Sequence, residues 1–198
     1  MDYGFALSSD SIKARSEAAL FLRSELASGY VHLPMLLRRS QEIDLTKDVL
    51  SKEEIELVGY GALSIGSILN AVGYDETNSM HHRLVDYLIE LASSKHNDIA
   101  AYALHGLGEL SSPPTRVIGA YEHVIQSGLR YNEHPVVTIR SIALRMLVKT
   151  DSYIARKYID HDASREYLLS IEQWEVECSQ ESRKSLRDES DWIRQARA

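Results

Sequence analysis

Apolar residues recur at intervals of three and four along almost the whole chain, and this spacing constrains the fold more than any other feature. Such spacing lines up apolar side chains on one face of a helix, and no stretch alternates convincingly, as a half-buried strand would. The periodic stretches are separated by short clusters of Gly, Pro, Ser and Asn. Short connections make consecutive helices antiparallel neighbours, so the expected class is all-α, built from helix pairs.

The punctuation predicts where each helix starts and stops. A first helix is expected over 9–27, capped by Ser9 or Asp10 and closed by Gly29 in a left-handed turn. A short one follows over 33–43, with Pro34 in its first turn. Ser51-Lys52-Glu53-Glu54 is a capping box, and the helix it opens reaches Val72 and stops at Gly73. Thr77, Asn78 or Ser79 starts a helix ending near Ser93, and Asn97 or Asp98 caps another that ends at Leu110. Pro113-Pro114 restarts the chain into a helix ending at Gly128, and His134-Pro135 opens one that runs to about Lys149. A short helix and one or two long, polar-rich ones are expected after Thr150.

The pattern also repeats. Ala-Leu pairs fall at Ala19-Leu20, Ala62-Leu63, Ala103-Leu104 and Ala143-Leu144, spaced by 43, 41 and 40 residues, while a fifth, Ala6-Leu7, breaks the series and leaves the evidence to the surrounding pattern. Ile99, Tyr102, Ala103, Gly106, Leu107 and Leu110 match Ile139, Ile142, Ala143, Met146, Leu147 and Thr150 at a constant offset of 40. Ala and Gly let a partner helix come close while Leu fills the space beside it. The stretch from Asn97-Asp98-Ile99 to Gly108-Glu109-Leu110 resembles the second helix of a HEAT repeat, and His134-Pro135-Val136-Val137 to Leu147 resembles the same helix. The likeness is good over 76–149, weaker over 9–72 and absent after 150. Ala100-Ala101 stands where the family has Val-Arg. The resemblance implies a short HEAT-like α-solenoid of antiparallel pairs over 9–150, closed by C-terminal capping helices over 151–198, the whole a single domain.

A chain of 198 residues buries roughly 70% of its unfolded surface, enough to do without a metal or disulfide staple. Its one cysteine, Cys178, shares an apolar face with Tyr167, Leu168, Ile171 and Trp174 and is expected in the core. The N-terminus shows no basic region followed by an apolar run, and no stretch approaches 18 consecutive apolar residues. A soluble, cytoplasmic protein is the expectation, with no membrane partner. The net charge is −7, and residues 51–100 carry eight acidic groups against three basic ones. An acidic surface repels phosphate backbones and attracts cationic proteins, so no nucleic-acid ligand is expected.

Chemistry-bearing motifs are sparse. None of the eight histidines pairs with another at i, i+4 around a Glu, as a zinc hydrolase needs, and they read as surface or capping residues. HEAT-like iron hydroxylases use His-Glu dipeptides. Here the order is reversed, at Glu122-His123 and Glu133-His134, and these lie 11 residues apart. Gly59, Gly61 and Gly66 fall short of a dinucleotide loop, since Ser64 stands where a glycine is needed. HEAT-like DNA glycosylases need a basic groove. Arg116, Arg130, Arg140, Arg145 and Lys149 are the one candidate strip, and both tryptophans, Trp174 and Trp192, fall outside the repeats. No cofactor, metal or small-molecule substrate is expected, and no catalytic set assembles.

Eleven tyrosines against two phenylalanines suit interfaces, where an apolar ring with a polar tip is useful. The repeat register turns Tyr60, Ser64, His105, Glu109 and Arg145 outward, and places Asp75, Glu76, Asp86, Glu90 and Asp98 at or near one edge. The predicted function is therefore a non-enzymatic protein-binding module. In size, charge and helicity the chain is similar to immunity proteins of bacterial toxin–immunity systems, including contact-dependent growth inhibition. That resemblance implies a basic toxin domain, such as a cationic nuclease, as the partner. The alternatives are a HEAT-like enzyme acting on nucleic acid, such as a DNA glycosylase, or a generic scaffold.

Overall fold

The computed structural model describes residues 2–126 and 139–159, and every regular element among them is helical. The order is α1 (Tyr3–Ser8), α2 (Ile12–Leu22), a 3-10 segment (Arg23–His32), α3 (Leu33–Gln41), α4 (Lys52–Val72), α5 (Ser79–Ala92), α6 (Asn97–Gly108), α7 (Thr115–Gln126), α8 (Ile139–Thr150) and α9 (Ser152–Ile159). The chain divides into two compact units, Met1–Val117 and Ile118–Ala198. The expected start of a helix at His134-Pro135, its neighbours Gly128, Arg130 and Glu133, and the expected capping helices beyond 159 with Trp174, Cys178 and Trp192 lie outside the described residues.

Several predicted boundaries match and several are corrected. The capping box of α4 is formed, with the Ser51 N–H donating to Glu54 Oε2 at 2.7 Å and the Glu54 N–H donating to Ser51 Oγ at 3.2 Å. Gly73 ends α4 with φ at +80°, a conformation that favours glycine. Asn78 caps α5 by accepting from the Met80 and His81 N–H groups. By contrast, α6 is capped by neither Asn97 nor Asp98. Its N-cap is His96, without a side-chain bond, and Asp98 sits in the first turn, where its charge favours the helix dipole.

The single helix expected over 9–27 is broken. Ser11, not Ser9 or Asp10, is the N-cap of α2, and a separate α1 precedes it, capped by Asp2. After Leu22 the chain tightens into the 3-10 segment, and Leu26 leaves helical geometry altogether with φ at +49°. The Ser24 and Ser28 hydroxyls donate to the carbonyls of Phe21 and Glu25 at 2.7 and 2.6 Å, competing for groups an α-helix would use. Gly29 takes no left-handed turn. It is buried, and a Cβ there would lie 2.8 Å from Ile68 Cδ1, so glycine serves close packing against α4.

Helix α4 is the hub of the first unit, packing against α2, the 3-10 segment, α3 and α6. The Ser64 hydroxyl, fully buried, donates to the Ala19 carbonyl of α2 at 2.6 Å, and Arg23 Nε donates to Ser67 Oγ at 3.0 Å. On its other side, Gly59 lies under the Tyr102 ring, Gly66 meets the backbone of Gly106, and Asn70 Oδ1 accepts from the Ser111 N–H at 3.1 Å. Rising residue numbers on α4 meet rising numbers on both neighbours, so α2, α4 and α6 run in the same sense, with α3 and α5 carrying the chain back between them. The three hydrogen bonds join residues 41 to 45 apart in sequence. Ala19, Ala62 and Ala103, the recurring alanines, are all fully buried. By length and composition α4 could cross a bilayer, yet most of its apolar window is buried within this fold.

In the second unit α8 packs on α9. The Tyr158 hydroxyl donates to Glu122 Oε1 at 2.5 Å and accepts from Gln126 Nε2 at 2.7 Å, tying α9 to α7.

The Gly66–Gly106 crossing gives a stability prediction. Alanine at either position gains helix propensity worth up to ~1 kcal/mol, but its Cβ would strike opposing backbone, which cannot rotate away. Overpacking costs ~1–3 kcal/mol, so Gly66→Ala is expected to destabilise by about 2 kcal/mol in a denaturant titration. Gly119→Ala, with open space around its Cβ, is expected to be neutral or stabilising. Equal effects at the two sites would contradict the crossing.

Candidate protein-binding face

Because α4 is covered on most sides, its middle, from Leu57 to Leu69, meets solvent only at Tyr60 and Leu63, with Glu56 one turn earlier, each of the three half-buried. Helix α6 runs beside it with Asp98 and His105 exposed and Tyr102 and Glu109 half-buried. The Tyr60 and Tyr102 rings meet edge to face, with centroids 5.7 Å apart and planes at 67°. The absence of a side chain at Gly59 makes room for the Tyr102 ring. Burial, reinforced by the Tyr60 hydroxyl and the Asp98 and Glu56 carboxylates nearby, pushes the Tyr102 phenol above its ordinary value. Lys52 reaches Glu56 at 3.5 Å from an exposed position, while Asp98 has no ion-pair partner among the described residues. The result is an edge-to-face aromatic pair with a carboxylate on each helix beside it.

The eight residues the sequence singled out do not form one surface. Tyr60, Asp98, His105 and Glu109 lie on this α4–α6 face. Glu109, however, pairs with Arg23 Nη2 at 2.9 Å, so its charge is already compensated. Ser64, expected to point outward, is fully buried and bonded to Ala19, because the outward stripe of α4 runs through Tyr60 and Leu63. Arg145 on α8 is half-buried.

Asp75, Glu76 and Asp86 gather elsewhere, in the 73–78 segment and on α5, and Arg116 of α7 joins them. Its Nε donates to Asp86 Oδ1 at 3.0 Å, its Nη2 donates to the Tyr74 hydroxyl at 2.8 Å, and its Nη1 lies 3.7 Å from Glu76. The guanidinium also stands 5.9 Å from the Tyr74 ring centroid. One residue thus belongs to both the supposed acidic edge and the supposed basic strip, and the two partly cancel. Asp75 accepts from the Thr77 N–H and hydroxyl, both at 2.8 Å, which holds its carboxyl below the usual range. Glu90 stands exposed one turn further along α5.

No family model, curated protein or solved structure matches the chain. The site must be read from its own chemistry. Among the described residues no group of three His, Cys, Asp or Glu is placed to hold a metal ion. Glu122 is engaged by Tyr158, His123 is exposed, and Glu133-His134 lies outside the described residues. A cleft of about 460 Å³ in the second unit is lined by Glu122, Tyr153, Ile154, Arg156 and Lys157 and carries both signs of charge.

Glu56 and Tyr102 were absent from the sequence-derived site. The signal that finds them is the register itself, since a step of 42 residues takes Glu56 to Asp98 and Tyr60 to Tyr102.

The aromatic contact is testable by a double-mutant cycle on stability. With Tyr60→Leu and Tyr102→Leu, an edge-to-face pair is expected to give a coupling of about 0.5–1.5 kcal/mol. Strict additivity would show that the rings do not interact.

Proposed function

We propose that this chain is a non-enzymatic protein-binding module that receives a cationic protein partner on the α4–α6 face. The observation that carries the reading is the Tyr60–Tyr102 pair flanked by Glu56 and Asp98. A tyrosine ring offers a lysine or arginine its electron-rich face, worth about 0.5–2 kcal/mol according to how far the contact is dried. The Asp98 carboxylate beside it adds attraction and raises the rate of encounter with a basic surface, while Glu56 shares its charge with the exposed Lys52. Rigid aromatic residues also lose little side-chain entropy on binding.

The scaffold proposed for this face is a short HEAT-like solenoid. Same-sense packing of α2, α4 and α6, with bonded residues 41 to 45 apart, supports it. Such scaffolds bind along the surface made by successive second helices. The partner class we favour is a basic toxin domain, with this chain as its cytoplasmic immunity protein. Negative net charge, concentrated in residues 51–100, supports that choice because an acidic inhibitor is drawn to a cationic nuclease.

Co-expression tests the reading. A toxin domain encoded beside this chain is expected to be neutralised by it, and the double reversal Glu56→Lys/Asp98→Lys is expected to abolish protection while leaving the thermal unfolding midpoint within a few degrees. Tyr102→Ala is expected to weaken binding by about 2 kcal/mol, roughly thirtyfold in Kd. Protection that survives the double reversal would move the site elsewhere, and no protection against any adjacent toxin would sink the immunity assignment.

A further inference from the structure

His81 departs from the sequence reading of the histidines as surface or capping groups. It stands on the first turn of α5, and only 5% of its surface is exposed. Its Nδ1 accepts a hydrogen bond from the Asp75 N–H at 3.0 Å. An accepting Nδ1 carries no proton, so the ring is neutral with its proton on Nε2. Two aromatic rings enclose it: Tyr30 from the 3-10 segment at 5.4 Å, edge-on, and Tyr74 at 6.0 Å.

The segment that His81 holds is short and irregular. Residues 73–78 leave α4 at Gly73, turn through Asp75 and Thr77, and enter α5 at Asn78. Four side chains fasten it. His81 binds the Asp75 backbone, His82 Nε2 binds the Glu76 carbonyl at 2.5 Å, Arg116 binds the Tyr74 hydroxyl, and the Asn78 side chain reaches the Tyr30 hydroxyl at 3.5 Å.

The two histidines meet the backbone in opposite roles. His82 faces a carbonyl and must donate, so a second proton on its ring leaves that bond intact. His81 faces an N–H and must accept, so a proton on Nδ1 sets two donors against each other. We propose that the 73–78 segment is an acid-released strap, with His81 as its latch.

The charges around the latch are few. From the strap come the Asp75 carboxylate and the Tyr74 hydroxyl, and from the 3-10 segment comes Tyr30. Beyond Tyr74 stand Arg116 of α7 and its partners Glu76 and Asp86, with His82 next along α5. Burial lowers the His81 pKa, and the Asp75 carboxylate opposes that in part. In the released strap the ring regains water and an ordinary value of about 6.5. The released form therefore binds more protons between the two values. The latch is fully effective above the ordinary histidine value and weakens as pH falls through it, by up to about tenfold per pH unit until the lower value is passed. Release takes Tyr74 away from Arg116 and uncovers Tyr30, leaving α5 and α6 packed as before.

Amide hydrogen exchange on the full chain, corrected for the intrinsic pH dependence of exchange, tests the strap. Protection of the Asp75 amide is expected to fall about tenfold between pH 7 and pH 5. In His81→Asn the amide oxygen can accept the same bond without titrating, and protection is expected to stay flat. His82→Asn is expected to keep the acid response. The His81 ring proton shift gives a readout independent of either variant: its midpoint is expected below the ordinary histidine value and coincident with the shift of the Asp75 amide. Constant protection in the wild type, an unchanged acid response in His81→Asn, or a ring midpoint at or above the ordinary value would overturn the proposal.

Discussion

The backbones of α4 and α6 touch at Gly66 and Gly106, and the rest of the first unit is arranged around that approach. A Cβ on Gly66 would fall on the Gly106 backbone, and one on Gly106 would lie 2.5 Å from the Ala62 carbonyl. The separation of two packed helices follows the side chains at their crossing, and here glycine stands on both sides. The approach brings Tyr60 and Tyr102 into edge contact. It also lets Arg23 of the 3-10 segment span α4 to reach Glu109, bonding Ser67 on the way.

Small residues recur around α4 for the same reason. Gly59 admits the Tyr102 ring, Gly61 faces Ser40 and Leu36 of α3, and Ser64 bonds a carbonyl of α2. Each contact buries another part of the helix surface. Glycines cost a helix up to ~1 kcal/mol apiece in propensity, and packing on several sides offsets that cost. What remains exposed is narrow, so the face available to a partner is defined by what the core has not covered. This links the glycines of α4 to the proposed function.

The elements legible in the sequence are those set by local chemistry. Helical periodicity, the Ser51–Glu54 capping box, Asn78 as a cap and Gly73 as a stop depend on residues within a few positions of each other. The spacing of about 40 residues was legible too, because buried small residues recur where the helices pack. What was not legible depends on neighbours distant in sequence. Locally Gly29 has the character of a turn glycine, and its actual constraint is Ile68, far along the chain. Ser64 looked outward because a repeat register predicts a face only to within about one helix position. Arg116 looked like part of a basic strip because nothing local reveals Asp86 and Tyr74 beside it. His81 looked like a surface histidine for the same reason. The break at Leu26 has a partial local signal in Ser24 and Ser28, whose hydroxyls compete for backbone carbonyls.

The central claim is the glycine crossing that holds α4 and α6 in register, and a nuclear Overhauser measurement tests it most directly. With selectively labelled glycines, the α-protons of Gly66 and Gly106 are expected to show a strong cross-peak, since no side chain separates the two backbones. If both glycines are assigned, the α4–α6 contact between Gly59 and the Tyr102 ring is seen, and that cross-peak is absent, the helices do not cross there and the register built on it is wrong.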